Sequence, residues 1–446
     1  HPRVRRQRQM CIRDSSSTKH GKKTMKKSSI FLPAAVFGIL LFGSGGNVMA
    51  QYADSSTTQM KDSNVDKKTR SAQQRVAANQ IRRNHLFSDL GQSYTDFKNK
   101  LNKDYGFDYA VDVSFMPQYG APNGKKTAFQ TIVAPSVTWT TFNNKYGTGV
   151  LNMSYNAVQY SGRTAEDIGN RLGVVTDIND YDSQSNSFDS LYYTYQLPGS
   201  WNWLTVALGQ FPLYNFDGSA YDANQQVNFV NYALSQNASS SYPTASLGGY
   251  IQIAPNSDWT FALGAQDATN TAGDGIVFTH LKDKHYTTFA SASYTPTIKG
   301  LGAGQYSVMV YNMPATFKQP QTTNGWSVNV SQDLNEKFSI FGRVNGVSGN
   351  QEEIDQSWVL GMVYNNPLDR NPLDQIGFAG AYNKINEEAV GQKLNHSAEK
   401  VLEAYWAWGV SKWMTLTPDI QFYFDPATNP KSDHATVVTL RATLFF

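Results

Sequence analysis

Residues 434–446 read HATVVTLRATLFF and close the sequence. Val438, Leu440, Ala442, Leu444 and Phe446 fall on one face of an extended strand; Thr439, Arg441 and Thr443 fall on the other. Side chains alternate across a strand, so this is a period-2 element with one apolar and one polar face. A strand of that kind ending on an aromatic residue matches the terminal signal of outer-membrane barrels. The same alternation opens the strand region: Phe107, Tyr109, Val111, Val113 and Phe115 alternate with Asp108, Ala110, Asp112 and Ser114.

Between these two stretches the pattern repeats. It predicts sixteen strands near 105–117, 127–142, 146–158, 187–197, 201–211, 245–254, 258–267, 285–295, 303–311, 325–334, 337–347, 355–364, 375–383, 398–411, 414–424 and 434–446. The even-numbered connections are mostly very short, such as Asn143-Asn144, Asn335-Glu336 and Lys412-Trp413. The odd ones are generally longer, and two, 159–186 and 212–244, much longer. Short turns on one side and long loops on the other belong to outer-membrane barrels; a soluble sandwich has no reason to sort loops by parity. Sixteen strands enclose more space than side chains fill, so a watery lumen follows. Trp139, Trp201, Trp259, Trp326, Trp358, Trp406 and Trp413 lie near strand ends and suit interfacial girdles. The expected fold is an all-β, sixteen-stranded antiparallel transmembrane barrel. Its first strand should pair with its last across 108–115 and 436–441, since an open edge in lipid is costly.

Composition agrees. Of the 446 residues, 16% are charged, below the usual quarter, and 13% are aromatic. No run of 18 apolar residues follows residue 50, which excludes a helical membrane bundle. Residues 1–50 hold ten Lys/Arg and one acidic residue, Asp14, so the rest carries 28 basic against 34 acidic side chains. No basic stripe survives, and nucleic-acid binding loses its warrant. The only cysteine is Cys11, and the five histidines after residue 50 show no metal-ligand spacing. No Gly-x-Ser-x-Gly nucleophile motif is present. Neither enzyme chemistry nor a cofactor is expected.

The N-terminal part divides further. Residues 1–24 are basic, without periodicity, and read as a non-native leader. Met25-Lys26-Lys27, the apolar run 30–42 and Val48-Met49-Ala50 form a signal peptide with cleavage expected after Ala50. Residues 51–85 are a polar periplasmic leader. Within 86–104, Tyr94, Phe97 and Leu101 recur at helical spacing, predicting a short amphipathic helix over about 92–103 whose apolar face meets the barrel wall or a neighbouring protomer. Residues 105–446 form the barrel.

Lumen phasing places Asp108, Asp112, Asn152, Asn156, Gln196, Gln252, Arg343, Asn345, Glu403, Asp419, Gln421 and Arg441 inward. Both signs occur and amides are plentiful; no Lys/Arg ladder of a phosphate pore is visible. The third outside loop, 212–244, contains Tyr214, Phe216, Asp217, Tyr221, Asp222, Asn224, Gln226 and Phe229, and no Lys or Arg. It is expected to fold inward and form the narrowest cross-section. Its acidic groups would face Arg343 and Arg441 across the pore, and its aromatic faces would let sugar rings slide past hydroxyl-binding side chains.

Glu403-Ala404-Tyr405, Trp413 with Leu416-Thr417-Pro418-Asp419-Ile420-Gln421, Pro426 and the terminal Phe446 resemble the ending of the OprB-type carbohydrate-selective porins. Gly248-Gly249-Tyr250-Ile251-Gln252, Trp259 and Gly264-Ala265-Gln266-Asp267 give a second match. The stretch from Leu86-Phe87 through Gly91 and Leu101 to Tyr105-Gly106 gives a third. The likeness spans about 86–446; one departure is Leu90-Gly91-Gln92, where members often carry a Trp-Gly-Gly-like sequence. The resemblance implies a sixteen-stranded outer-membrane channel of a Gram-negative bacterium that passes mono- or small oligosaccharides passively. A homotrimer, contacts with outer-membrane lipid and reading of Phe446 by the barrel-assembly machinery are further expectations. Two alternatives stay open: a general diffusion or other solute-selective porin, and a structural or adhesive surface barrel.

Overall fold

A computed structural model describes residues 88–122, 127–349 and 351–446. The leader, signal-peptide and polar-leader assignments over 1–85 lie outside the described residues.

Among the described residues one helix precedes the sheet: α1, Ser88–Tyr105. Sixteen long strands follow. They are β1 (Phe107–Ala121), β2 (Thr127–Asn144), β3 (Gly147–Gly162), β4 (Ser185–Gln196), β5 (Leu204–Phe211), β6 (Ser246–Ile253), β7 (Trp259–Asp267) and β8 (Tyr286–Tyr294). Then come β9 (Gly302–Met313), β10 (Thr323–Asp333), β11 (Phe338–Val347), β12 (Ile354–Asn365), β13 (Gln375–Ile385), β14 (Ala398–Ser411), β15 (Met414–Phe424) and β16 (His434–Phe445). A two-residue bridge, Thr297–Ile298, pairs with the start of β9. Each long strand pairs antiparallel with the next, and β16 returns to β1, so the sheet closes. The seam runs from Asp112↔Phe445 to Ala121↔Thr436. It therefore lies farther along β1 than the expected 108–115: β1 continues to Ala121, and Val111 bonds the terminal Phe446 backbone in both directions.

The pleat sorts the side chains. Outward positions carry Leu208, Leu263, Val308, Leu360, Phe378 and Leu440, all exposed as a lipid-facing wall requires. Inward positions carry Ser327, Asn345, Thr417, Gln421 and Arg441, all buried inside the barrel. Among the described residues no helix is long and apolar enough to cross a membrane; the strands provide the crossing, with every ladder group paired around the ring. Aromatic rings gather at both rims. Trp259 stacks on Tyr294 at 4.6 Å, and Phe338 on Tyr364 at 4.3 Å, at the turn side. Trp358 meets Tyr382 at 5.4 Å at the loop side. The tight β2–β3 turn needs its glycine: Gly147 has φ +118°, and a Cβ there would lie 2.5 Å from the Gln196 carbonyl oxygen.

α1 rests against the turn-side end of β1. Tyr94 meets Trp413 at 5.5 Å and Tyr109 at 6.3 Å, both edge-on. Phe97 is 54% exposed and does not meet the wall, so of its two expected partners the neighbouring protomer is the one left, while Thr95 is buried. The spacing locates the helix correctly, but its contact stripe is narrower than an apolar periodicity implies, because the wall offers only one strand and a turn.

Candidate functional site: two loops folded into the lumen

The third outside connection, 212–245, folds into the barrel, and the wall fastens it at successive points. Its first turn is apolar. Phe216 lies 4.7 Å from Phe289 and 5.1 Å from Tyr250, and Phe211 lies 5.0 Å from Tyr250, ring centre to ring centre. Asp217 then accepts from Ser327 Oγ at 2.5 Å, Asn329 Nδ2 at 3.0 Å and Asn237 Nδ2 at 2.8 Å. Asp222 pairs with Arg343, Oδ2 to Nη1 at 3.3 Å, with both side chains 1% exposed. Arg343 Nη2 donates to the Ala233 carbonyl at 3.1 Å.

Phe229 is fully buried between Phe341, at 5.5 Å, and Tyr405, at 4.9 Å. Those two wall rings lie flat because the adjacent inward positions are glycines. A Cβ at Gly361 would sit 2.3 Å from the Phe341 ring, and one at Gly377 2.2 Å from the Tyr405 ring. The Glu403 carboxylate accepts from the backbone N–H groups of Val230, at 2.5 Å, and Asn231, at 2.9 Å. Arg441 donates to three loop carbonyls: Gln225, Asn228 at 2.8 Å and Val227 at 3.1 Å. Asn231 Nδ2 reaches Gln421 Oε1 at 3.2 Å, and Gln421 Nε2 donates to the Ile178 carbonyl at 2.9 Å. Asp419 is buried within the electrostatic reach of Glu403 and Arg441.

The loop is therefore inside, as its length and rank predict, yet the expected gap between an acidic loop and a basic wall is closed. Asp222 and Arg343 touch, and Arg441 is spent on backbone carbonyls. The physical reason is desolvation: a charge held away from water is stabilised by direct partners rather than across a gap. The residues proposed as pore-lining separate accordingly. Phe216, Asp217, Asp222, Phe229, Arg343, Glu403, Asp419, Gln421 and Arg441 are buried among fasteners. Tyr221 is half-buried, its hydroxyl 2.8 Å from Ser339 Oγ. Tyr214, half-buried, and Asn224 and Gln226, both buried, line one cleft with one another.

A second loop also enters, which the strand reading left as plain connection. Residues 163–184 contain α2, Ala165–Leu172, with a capping box between Thr164 and Asp167 and a left-handed cap at Gly173. The signal was in the sequence as Thr164-x-x-Asp167 with Gly173 beyond. Its buried face, Ile168 and Leu172, packs at Gly120 of β1. Glu399 pins the segment after it: the carboxylate accepts from Val175 N at 3.0 Å, Thr176 N at 2.8 Å and Ala427 N at 3.2 Å.

Between the two loops and β1–β4 lies a cleft. Its lining includes Asp112, Ser154, Tyr155, Asp180, Asp189, Tyr214, Asn224, Gln225 and Gln226, and no Lys or Arg. Asp189 is oriented by Ser187 Oγ at 2.6 Å, Tyr214 Oη at 2.8 Å and the Asn156 amide. At the turn-side end, Lys98 of α1 lies 4.8 Å from the centre of the Tyr109 ring. Burial pushes its ammonium below the ordinary lysine value, while the Asp108 and Asp112 carboxylates push it back up.

The chain is 35% identical over 361 residues to porin AaxA of Chlamydia abortus, covering 79% of this chain and 80% of that one. It is 36% identical over 371 residues to porin AaxA of Chlamydia pneumoniae, covering 81% and 84%. The high-pH structure of Pseudomonas putida OprB shares the fold with a TM-score of 0.67 at 16% identity, over 79% of this chain and 97% of that one. The model of the carbohydrate-selective porin, OprB family, matches residues 138–446, and the chain belongs to that family.

Proposed function

We propose that the protein is a non-catalytic outer-membrane porin of a Gram-negative bacterium that passes mono- and small oligosaccharides by passive diffusion. One observation carries this reading. The two arginines on inward strand positions, Arg343 and Arg441, are both consumed by loop carbonyls and Asp222. What remains toward the open space is hydroxyls, amides, tyrosine rings and carboxylates, a surface for polyols rather than phosphates. Contacts of this kind are individually weak, which lets a solute leave as readily as it enters.

A second reading, a channel preferring cationic solutes, is favoured by Asp112, Asp180 and Asp189 sharing a cleft whose lining holds no Lys or Arg, Lys98 standing beyond its turn-side end. Liposome swelling separates the two. A sugar porin admits glucose or maltose faster than size-matched zwitterions and organic cations; a cation-preferring channel reverses that order. A structural or adhesive barrel admits neither. Signal-peptide removal after Ala50, a homotrimeric state and recognition of Phe446 by the assembly machinery belong to the same proposal. Mass spectrometry of the mature chain, crosslinking in detergent and deletion of Phe446 test them in turn.

A further inference from the structure

The lumen is filled unevenly. Ser327, Ser339, Phe341 and Asn345, inward on β10 and β11, are buried against the long loop, and Ser357 of β12 is fully buried as well. At mid-height on β1–β3 the inward side chains Asp112, Ala134, Ser154 and Asn156 keep part of their surface. The fasteners explain the bias: Arg343, Glu403 and Arg441 all pull the loop toward β11–β16. A cleft stays open against β1–β4.

That cleft also contains a polar group without a protein partner. Gln225 is 2% exposed; its Oε1 accepts from the Asp180 N–H at 2.9 Å, while its Nε2 finds no acceptor. Both Gln225 and Asp180 line the cleft. A buried amide N–H₂ without an acceptor carries a desolvation cost that a bound oxygen removes. Tyr155 and Tyr214 supply flat faces beside it, and Asp112 supplies a carboxylate for neighbouring hydroxyls.

We propose that solutes cross off-axis along the β1–β4 wall and dock transiently in this cleft, which takes a neutral ring with vicinal hydroxyls. In that complex a ring oxygen or hydroxyl accepts from Gln225 Nε2, and adjacent hydroxyls donate to Asp112. The docking half rests on the sugar-porin reading; the path does not.

Cysteine accessibility tests the path, because Cys11 is the only cysteine of the sequence and precedes the expected cleavage site. Ser154→Cys and Ala134→Cys channels, checked for heat-modifiable folding, are treated in bilayers with a trimethylammonium methanethiosulfonate. Ser357→Cys on β12 is the counterpart. The expected result is loss of most conductance at residues 154 and 134 and little change at 357. Modification at 357 with both β2 and β3 sites silent would overturn the path. The docking half is read by glucose block of the current. Asp112→Asn and Gln225→Ala should each weaken block about two- to tenfold, the loss of one or two hydrogen bonds. Unchanged block in both, or block of the wild-type channel by a size-matched organic cation and not by glucose, overturns the docking assignment. Absence of glucose uptake in wild-type liposomes sinks the sugar reading, while the labelling result stands independently of it.

Discussion

Replacing Arg441 with methionine keeps the stem and much of the volume but removes the guanidinium that holds the long loop. In the wild type that group donates to the carbonyls of Gln225, Val227 and Asn228 in a site that is 1% exposed. If the loop stayed in place, three buried carbonyls would lose their donor, at about 1–3 kcal/mol each. The total, roughly 3–9 kcal/mol, exceeds what a local segment can absorb, because the loop has the alternative of swinging into water and rehydrating. Even about 4 kcal/mol changes the docked-to-released ratio by roughly a thousandfold. The barrel itself should persist, since its seam is backbone pairing between β1 and β16 and does not pass through the side chain.

Two assays follow. The loop contains no Lys or Arg but holds Tyr221, Phe229 and Tyr232, so chymotrypsin and not trypsin reports its release. Single-channel recordings report the freed cross-section as larger and noisier conductance. Arg441→Met should be cut within 212–245 and conduct more, with heat-modifiable migration intact. Wild-type conductance together with an uncut loop would refute the fastener argument, because no other group bonds all three carbonyls in its place.

Phe229→Ala should cost about 3–5 kcal/mol in loop docking by emptying the space between Phe341 and Tyr405; current noise should rise, and equal noise counts against it. Gly377→Ala should displace the Tyr405 ring, against which its Cβ would fall at 2.2 Å, and raise chymotrypsin sensitivity of the loop in folded channels. Glu399→Ala leaves the N–H groups of Val175, Thr176 and Ala427 without their acceptor; it should release 163–184 and enlarge conductance while 212–245 stays uncut.

The architecture was legible because a closed barrel writes a local rule at every position. Each strand alternates, so residues such as Val438 and Thr439 declare their faces without knowledge of the partner strand. Only ends drift: β1 runs to Ala121 and β3 to Gly162 because pairing with long neighbours extends them. The inward direction of 212–245 was legible from length, rank and absence of Lys and Arg. Which of its side chains meet the pore was not. Phe216 and Phe229 look equivalent to Tyr214 in sequence; they differ in whether a wall ring waits opposite, and that depends on strands far along the chain, at Phe289, Phe341 and Tyr405. The inward turn of 163–184 depends on Glu399, more than two hundred residues away. Non-local partners of that kind leave no periodicity to read.

The use of charge in this lumen has a consequence for selectivity. A sixteen-stranded barrel is too wide for side chains to fill, so the chain must narrow it with loops. A loop brings backbone N–H and C=O groups into a place where water is scarce, and each needs a partner. Wall charges meet that need: Glu399 and Glu403 take N–H groups, and Arg441 takes carbonyls. A charge engaged in this way is screened from passing solute, so it positions the constriction without acting as the filter. On the sugar-porin reading proposed above, filtering would fall to the groups lining the cleft, Asp112, Tyr155 and Tyr214 among them. On that reading, substitutions at the cleft-lining residues of 212–245 should retune which solutes pass while the fasteners and the barrel stay unchanged, whereas substitutions at the fasteners should alter width first and preference only as a result.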